Sequence, residues 1–447
     1  MHGKQLWATV LGGILLGAVL LLLFRDSAAL QRQMAQWGNA KAQYNLGMKY
    51  ALGRGVPKDD QQASAWYQKA AEQGMAYAQT ALGTMYEQGI GVTQDDQQAA
   101  AWYQKAAEQN EKNAQFGLAV LHELGRGVPK DIQKAAEWYQ KAADQGLARA
   151  QNRLGEMYEM GLGLPKDFQQ AAAWYQKAAD QGIVQAQNNL GAMYANGRGV
   201  QQDDQKAHEW YRKAAQQGLM QAQHNLGLMY FEGRGIAQDD KQAAAQWLKA
   251  AEQGHAEAQY NLGVMYANGR GVPKDDKLAV YWYQQAAEQG IVQAQHNLGV
   301  MYANGRGVPK DDKQAAEWWL KAAEQNFPPA QTNLGTMYFE GRGVPRNSKQ
   351  AVVWWQKAAA QGIKQAQHNL AIMYFEGRGV PRNSKQAVSW WQKAAEQDYA
   401  EAQFYLGMLS ERGSGLPLDK NQALYWYGKA AQQNHEPAKK ALARLKK

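Results

Sequence analysis

Three histidines, His224, His296 and His368, recur at intervals of 72 residues, and evenly spaced imidazoles raise the question of a metal centre. They occupy one place in a repeated unit, with two units between neighbours. That separation is roughly 20 Å at about 10 Å per packed helical layer, whereas metal–nitrogen bonds are about 2 Å long. One ion cannot bridge them, so no metal is expected. The chain has no cysteine, which excludes a thiolate nucleophile, a disulfide framework and Cys-ligated zinc. Gly-Arg-Gly loops such as Gly197-Arg198-Gly199 resemble phosphate loops only superficially. They follow a helical pattern instead of a strand and lack the GxGxxG and GxxxxGK spacings. Neither an HExxH motif nor a Ser/His/Asp grouping is present. No catalytic residue, no cofactor and no enzymatic activity are therefore expected. Eight loops carry Arg between their glycines, among them Arg54, Arg198, Arg306 and Arg378. Such a ladder could bind anions; the favoured reading is that each Arg caps the carbonyls of its helix or pairs with a nearby Asp.

The elements that position these residues come from a single motif. The Ala of an Ala-Gln pair falls at 42, 78, 114, 150, 186, 222, 258, 294, 330, 366 and 402, every step being 36 residues, and a twelfth start lies at Ala438. In the copy at Ala186, the residues Ala186, Leu190, Met193, Tyr194 and Gly197 form one stripe of a 3.6-residue period. Gly197 stops this first helix. Asp203-Asp204 supplies a cap for a second helix, which places Ala207, Trp210, Tyr211 and Ala214 on one face before Gly218 closes it. The Trp recurs in ten of eleven copies, the exception being Gln246 followed by Trp247. Burying roughly 200 Å² of Trp contributes about 5 kcal/mol gross. Ordering one copy costs far more, so copies must stack to be stable.

The pattern of Ala186, Leu190, Gly191, Tyr194, Gly197, Gly199, Val200 and Asp203, followed by Ala207, Trp210, Ala214, Ala215 and Gly218, resembles the Sel-one-like repeat (SLR) family, a branch of the tetratricopeptide-like superfamily. The resemblance covers about 400 residues. Departures are few: Ala119 and Ala371 replace the Gly after Leu, His122 and Ser410 replace Tyr, and Asn347-Ser348 and Asn383-Ser384 replace Asp-Asp. The resemblance implies an all-α fold, a right-handed superhelical α-solenoid of helix-turn-helix repeats used as a protein-interaction scaffold. It also implies kinship with membrane-anchored or exported bacterial members. The partner does not transfer from the family.

The ends are distinct. Residues 6–24, LWATVLGGILLGAVLLLLF, carry no charge and span roughly 28 Å as a helix, close to bilayer thickness. An N-terminal transmembrane or signal helix over 1–25 is expected. The reading is an inner-membrane anchor with the repeats in the periplasm; the alternative is secretion after cleavage near Ser27-Ala28-Ala29. Residues 26–41 read as a capping half repeat, 42–437 as eleven repeats and 438–447 as a C-terminal capping helix. The net charge is +9, but Lys and Arg are spread among acidic neighbours such as Lys69 with Glu72. The basic balance is read as a solvated surface, with no nucleic-acid partner.

Positions that vary between copies are free of the demands of stacking. In the first helix these are the third, seventh and tenth places, opposite the Leu/Tyr stripe, and in the resembling family this face lines the concave groove. Its occupants include Tyr44, Met48, His224, Leu228, Phe231, Tyr260, Val264, His296, Val300, Thr336, Phe339, His368, Ile372, Phe375, Phe404 and Met408. Aromatic and apolar side chains on a nominally exposed face point to a binding surface for other proteins or peptides. One alternative is that they pack on the next copy; another is that the aromatics stack on glycan or peptidoglycan. The segments 338–359 and 374–395 differ only at Val353 against Ser389, as expected of a recent duplication.

Overall fold

A computed structural model of the chain describes residues 28–446; the apolar segment 6–24 and the anchor expected from it lie outside the described residues. Among the described residues every regular element is α-helical, and none is long and apolar enough to cross a membrane. Each of the eleven copies contributes a first and a second helix of 13 residues, from the pair Ala40–Leu52 and Asp60–Glu72 to the pair Ala400–Arg412 and Lys420–Gln432. They form two compact units, divided between Leu219 and Met220.

Local chemistry sets the boundaries. In the fifth copy, Val184–Asn196 ends at Gly197, which adopts φ 64° and donates its N–H to the Met193 carbonyl. The second helix, Asp204–Gln216, opens at Asp203, whose side chain accepts from the Lys206 N–H at 3.0 Å. Asn347 and Asn383 cap in the same way, each at 3.1 Å, so the loss of Asp there leaves the helix start intact. The second loop glycine answers a different need. A Cβ on Gly199 would lie 1.9 Å from the Phe168 carbonyl oxygen of the preceding copy, so the loop docks backbone to backbone.

Between the paired helices, the Gly after Leu accommodates a ring. A Cβ on Gly191 would lie 2.8 Å from Tyr211, and one on Gly299 2.5 Å from Trp319. The deepest aromatic of each copy is thus the residue after the recurrent Trp, such as Tyr139, Tyr175, Trp391 or Tyr427. The recurrent Trp has another role. Trp174 packs with Ala135, Ala136 and Ala142 of the preceding second helix, and Lys177 lies 3.8 Å above its ring.

A buried glutamine seam joins the copies. Gln259, the residue after the motif's Ala, donates to the Ala251 carbonyl of the preceding copy at 3.1 Å and accepts from Gln289 at 2.8 Å. The same pair of bonds recurs at Gln79, Gln151, Gln187, Gln295 and Gln367. At the N-terminal side, Gln43 makes its bond to the Ala35 carbonyl of the helix Ala28–Gln36. At the other end, Glu436–Lys446 packs Ala438, Leu442 and Leu445 against the last copy.

Candidate functional site

The candidate face lies on the first helices, and its third, seventh and tenth places differ in character between the two units. In the unit beginning at Met220, Leu228, Phe231, Val264, Val300, Thr336, Phe339, Ile372 and Phe375 are half-buried, neither sealed into the core nor fully open. Each phenylalanine leans on the ring of its own copy's second helix: Phe231 on Trp247 at 5.3 Å between centroids, Phe339 on Trp355 at 5.5 Å, Phe375 on Trp391 at 5.6 Å. Tyr260 lies 6.1 Å from Tyr283. One flank of each phenylalanine is thus fixed by tertiary packing; the Arg270 guanidinium also lies 3.8 Å from the Phe231 ring centroid. Thr336, Phe339, Ile372 and Asn369 line a pocket of about 270 Å³ between the ninth and tenth copies.

Two of the histidines, His224 and His368, are more deeply placed, while His296 is half-buried. His224 is 9% exposed and stacks on His255 at 4.5 Å; burial, followed by the neighbouring His255, pushes its pKa down to about 4. His296 sits against Phe327 and Trp319, with its pKa lowered by burial. His368 is 8% exposed, and burial brings it to about 4. It also receives a bond with no counterpart in sister copies. Trp247, Trp319 and Trp355 lie over glycines and donate Nε1–H to the backbone carbonyls of His224, His296 and Thr332. Trp391 faces Ala371 instead, and donates to His368 Nδ1 at 3.1 Å. The Ala371 methyl occupies space that glycine leaves for the ring, and the imidazole takes over as acceptor. Among the described residues no three His, Asp or Glu side chains converge as metal ligands would.

The unit ending at Leu219 is mixed on the same face, with carboxylates beside apolar side chains. Tyr44 lies 5.5 Å from Tyr67, and Met48 is exposed. Beyond them the places hold Thr80, Thr84, Glu87, Glu123, Glu156 and Glu159, but also Phe116, Val120, Ala192 and Ala195; Phe116 leans on Tyr139 at 5.4 Å. Tyr103, Tyr139 and Tyr175 donate to Glu87, Glu123 and Glu159 at 2.9, 2.7 and 2.8 Å. Burial, joined by these carboxylates, pushes the three phenols well above their usual range. Arg153 pairs with both Glu123 and Glu156. Sequence reasoning did not single out this charged stretch; the run of Glu at variable places was its signal. In the last copy, Phe404 and Met408 pack with the C-terminal helix.

The Arg ladder is largely engaged. Arg126, Arg270 and Arg306 pair with Asp96, Asp240 and Asp276 at 2.7, 2.7 and 2.6 Å. Each partner opens the second helix of the preceding copy. Arg342 and Arg378 pair with Glu340 and Glu376 of their own first helices.

The family model for the Sel1 repeat matches eleven consecutive segments, from 40–75 to 400–435. The chain belongs to the Sel1 repeat family. Its frame starts two residues before the Ala used above to count copies. The chain is similar to a solved protective antigen of uropathogenic Escherichia coli strains that displays an SLR fold. The identity is 39%, over 94% of this chain and 90% of that one, with a TM-score of 0.86. A Sel1 repeat protein from Oxalobacter formigenes is 35% identical over 69% of this chain and 89% of its own, with a TM-score of 0.54. A search of curated proteins returns no match. As a Sel1 repeat solenoid, the chain has the architecture typical of protein-interaction scaffolds.

Proposed function

We propose that this Sel1 repeat chain is a non-enzymatic scaffold that holds a protein or peptide partner on its first-helix face. On this reading it is tethered to the inner membrane through residues 6–24, with the repeats in the periplasm, or is exported after cleavage. The observation that carries the binding reading is the row of half-buried apolar side chains from Leu228 to Phe375 at places the repeat leaves free to vary. Apolar side chains that neither complete the core nor dissolve into a polar surface are what a partner's side chains desolvate. Each Phe is already braced by a Trp, so little side-chain entropy is lost on binding. That bracing also covers one flank of each ring, which suits interdigitation with protein better than the open platforms that sugars stack on.

The apolar segment 6–24 supports the tether. That a similar protein is a protective antigen fits a location beyond the cytoplasm. Protease accessibility tests the placement. With the outer membrane permeabilised and the inner membrane intact, added protease is expected to digest the repeats. Full protection under those conditions would overturn the periplasmic placement.

A further inference from the structure

In the loop Arg ladder, Arg198 has neither the Asp 30 residues earlier nor a Glu of its own first helix as a partner. In one mode the Arg partner is the Asp 30 residues earlier, as in Arg126 with Asp96, Arg270 with Asp240 and Arg306 with Asp276; in the other it is a Glu of the same first helix, as in Arg342 with Glu340 and Arg378 with Glu376. In the fourth copy the pair is replaced on both sides, by Ile132 and Leu162. In the fifth only one side is replaced. The residue 30 places before Arg198 is Phe168, and among the described residues no carboxylate pairs with Arg198. Its guanidinium lies 5.9 Å from the Phe168 ring centroid, and Lys166 Nζ lies 4.7 Å from the same ring. The adjacent Asp167 is committed to the helix cap, accepting from the Gln169 and Gln170 N–H groups. Two cations thus flank one aromatic ring without an anion between them.

These residues line an open pocket of about 810 Å³ between the fourth and fifth copies. Glu156 and Glu159 lie on its other side; Glu156 is held by Arg153, and Glu159 accepts from Tyr175. The two carboxylates limit what can enter. A multiply charged phosphate would be repelled by both, whereas a monovalent carboxylate can pair with Arg198 in a fork geometry and leave its apolar neighbour on Phe168. We propose that this pocket binds a carboxylate of a partner peptide, a C-terminal group or an Asp or Glu side chain, held by Arg198 and Lys166 beside the Phe168 ring. The subsite rests on the reading of the first-helix face as peptide-binding. It adds to that face a charged contact in the unit ending at Leu219.

Saturation-transfer NMR on the full-length chain in mild detergent tests it, with N-acetyl-phenylalanine, its amide and inorganic phosphate as probes. The variants are Phe168→Asp, which restores the pairing of the sister copies, and Arg198→Ala. The acid is expected to bind at least about threefold more tightly than the amide and to outcompete phosphate. Either variant should weaken it about fivefold or more, with circular dichroism unchanged. Equal binding of acid and amide, preference for phosphate, or undiminished binding by Phe168→Asp would overturn the proposal. Because the probes are small molecules, such a failure leaves the apolar face of the other unit untouched, and loss of partner capture there would not imitate it.

Discussion

At the scale of single residues, two glycines with similar backbone angles carry different loads. Gly199 and Gly218 both have positive φ, 69° and 89°. A Cβ on Gly199 would collide with the Phe168 carbonyl, while one on Gly218 meets nothing within 4 Å. Gly218→Ala is expected to cost about 1 kcal/mol, the ordinary penalty of a left-handed alanine. Gly199→Ala must also push apart adjacent copies, and should cost roughly 3 kcal/mol or more. Thermal melts of both variants check this; equal shifts would show that the loop contact does not matter. The buried histidines make a second residue-scale prediction. Both His224 and His368 have folded pKa values near about 4, below the value of about 6.5 expected of an unfolded chain. Between those values the unfolded state binds more protons, so stability falls as pH drops from about 6.5 and levels off near about 4. Each contributes a loss of roughly 3 kcal/mol across that window. Melting temperature against pH should show the slope, and the double variant His224→Asn, His368→Asn should flatten it. An unchanged slope would place the acid sensitivity elsewhere.

At the scale of elements, the helices and their stops were plain from the sequence. Periodicity located the pairs, and Gly197 and Asp203 act as expected. The partners of particular side chains were less visible. From the sequence, Trp210 and Tyr211 share one face of the second helix, and the Trp stands out as a large recurrent side chain to bury. The fold plugs the residue after it, Tyr211 or Trp391, against the first helix, and places the Trp between successive second helices. Pattern alone cannot separate these roles, since neighbouring residues on a helix point only 100° apart. The candidate face was legible as a face, because variation marked it. Its half-burial was not, because bracing by Trp247, Trp355 and Trp391 depends on how two helices cross. The glutamine seam shows in hindsight as a Gln after each Ala and another at the end of each second helix. Removing one link tests its weight. Gln259→Ala deletes the donor to the Ala251 carbonyl and the acceptor for Gln289, and should cost about 1–3 kcal/mol. Hydrogen exchange should then quicken in the second helices Asp240–Glu252 and Asp276–Glu288 and spare distant copies. Protection unchanged there would mean that the aliphatic stack alone joins the copies.

At the scale of the molecule, one repeated unit supports two chemically distinct faces. First helices up to Leu219 carry carboxylates bonded to tyrosines beside Phe116 and Val120, and those from Met220 carry mainly Leu, Val, Ile and Phe braced by aromatics, with Glu411 bonded to Tyr427 in the last copy. Because every copy stacks through the same Ala, Leu, Gln and Gly, the variable places are free to differ without disturbing the fold. On the proposed reading, this separation of stacking from display lets a constant scaffold carry a surface specific for a partner. Affinity isolation from cells with the full-length chain, compared with the double variant Phe339→Ala, Phe375→Ala, tests the claim most directly. Both rings are half-buried at the edge of the core clusters and outside the recurrent Ala and Leu positions, so the variant should keep its helicity while the amount of captured protein falls about tenfold or more. Equal recovery of the same proteins by a folded variant would contradict the account and remove the apolar face as the binding surface.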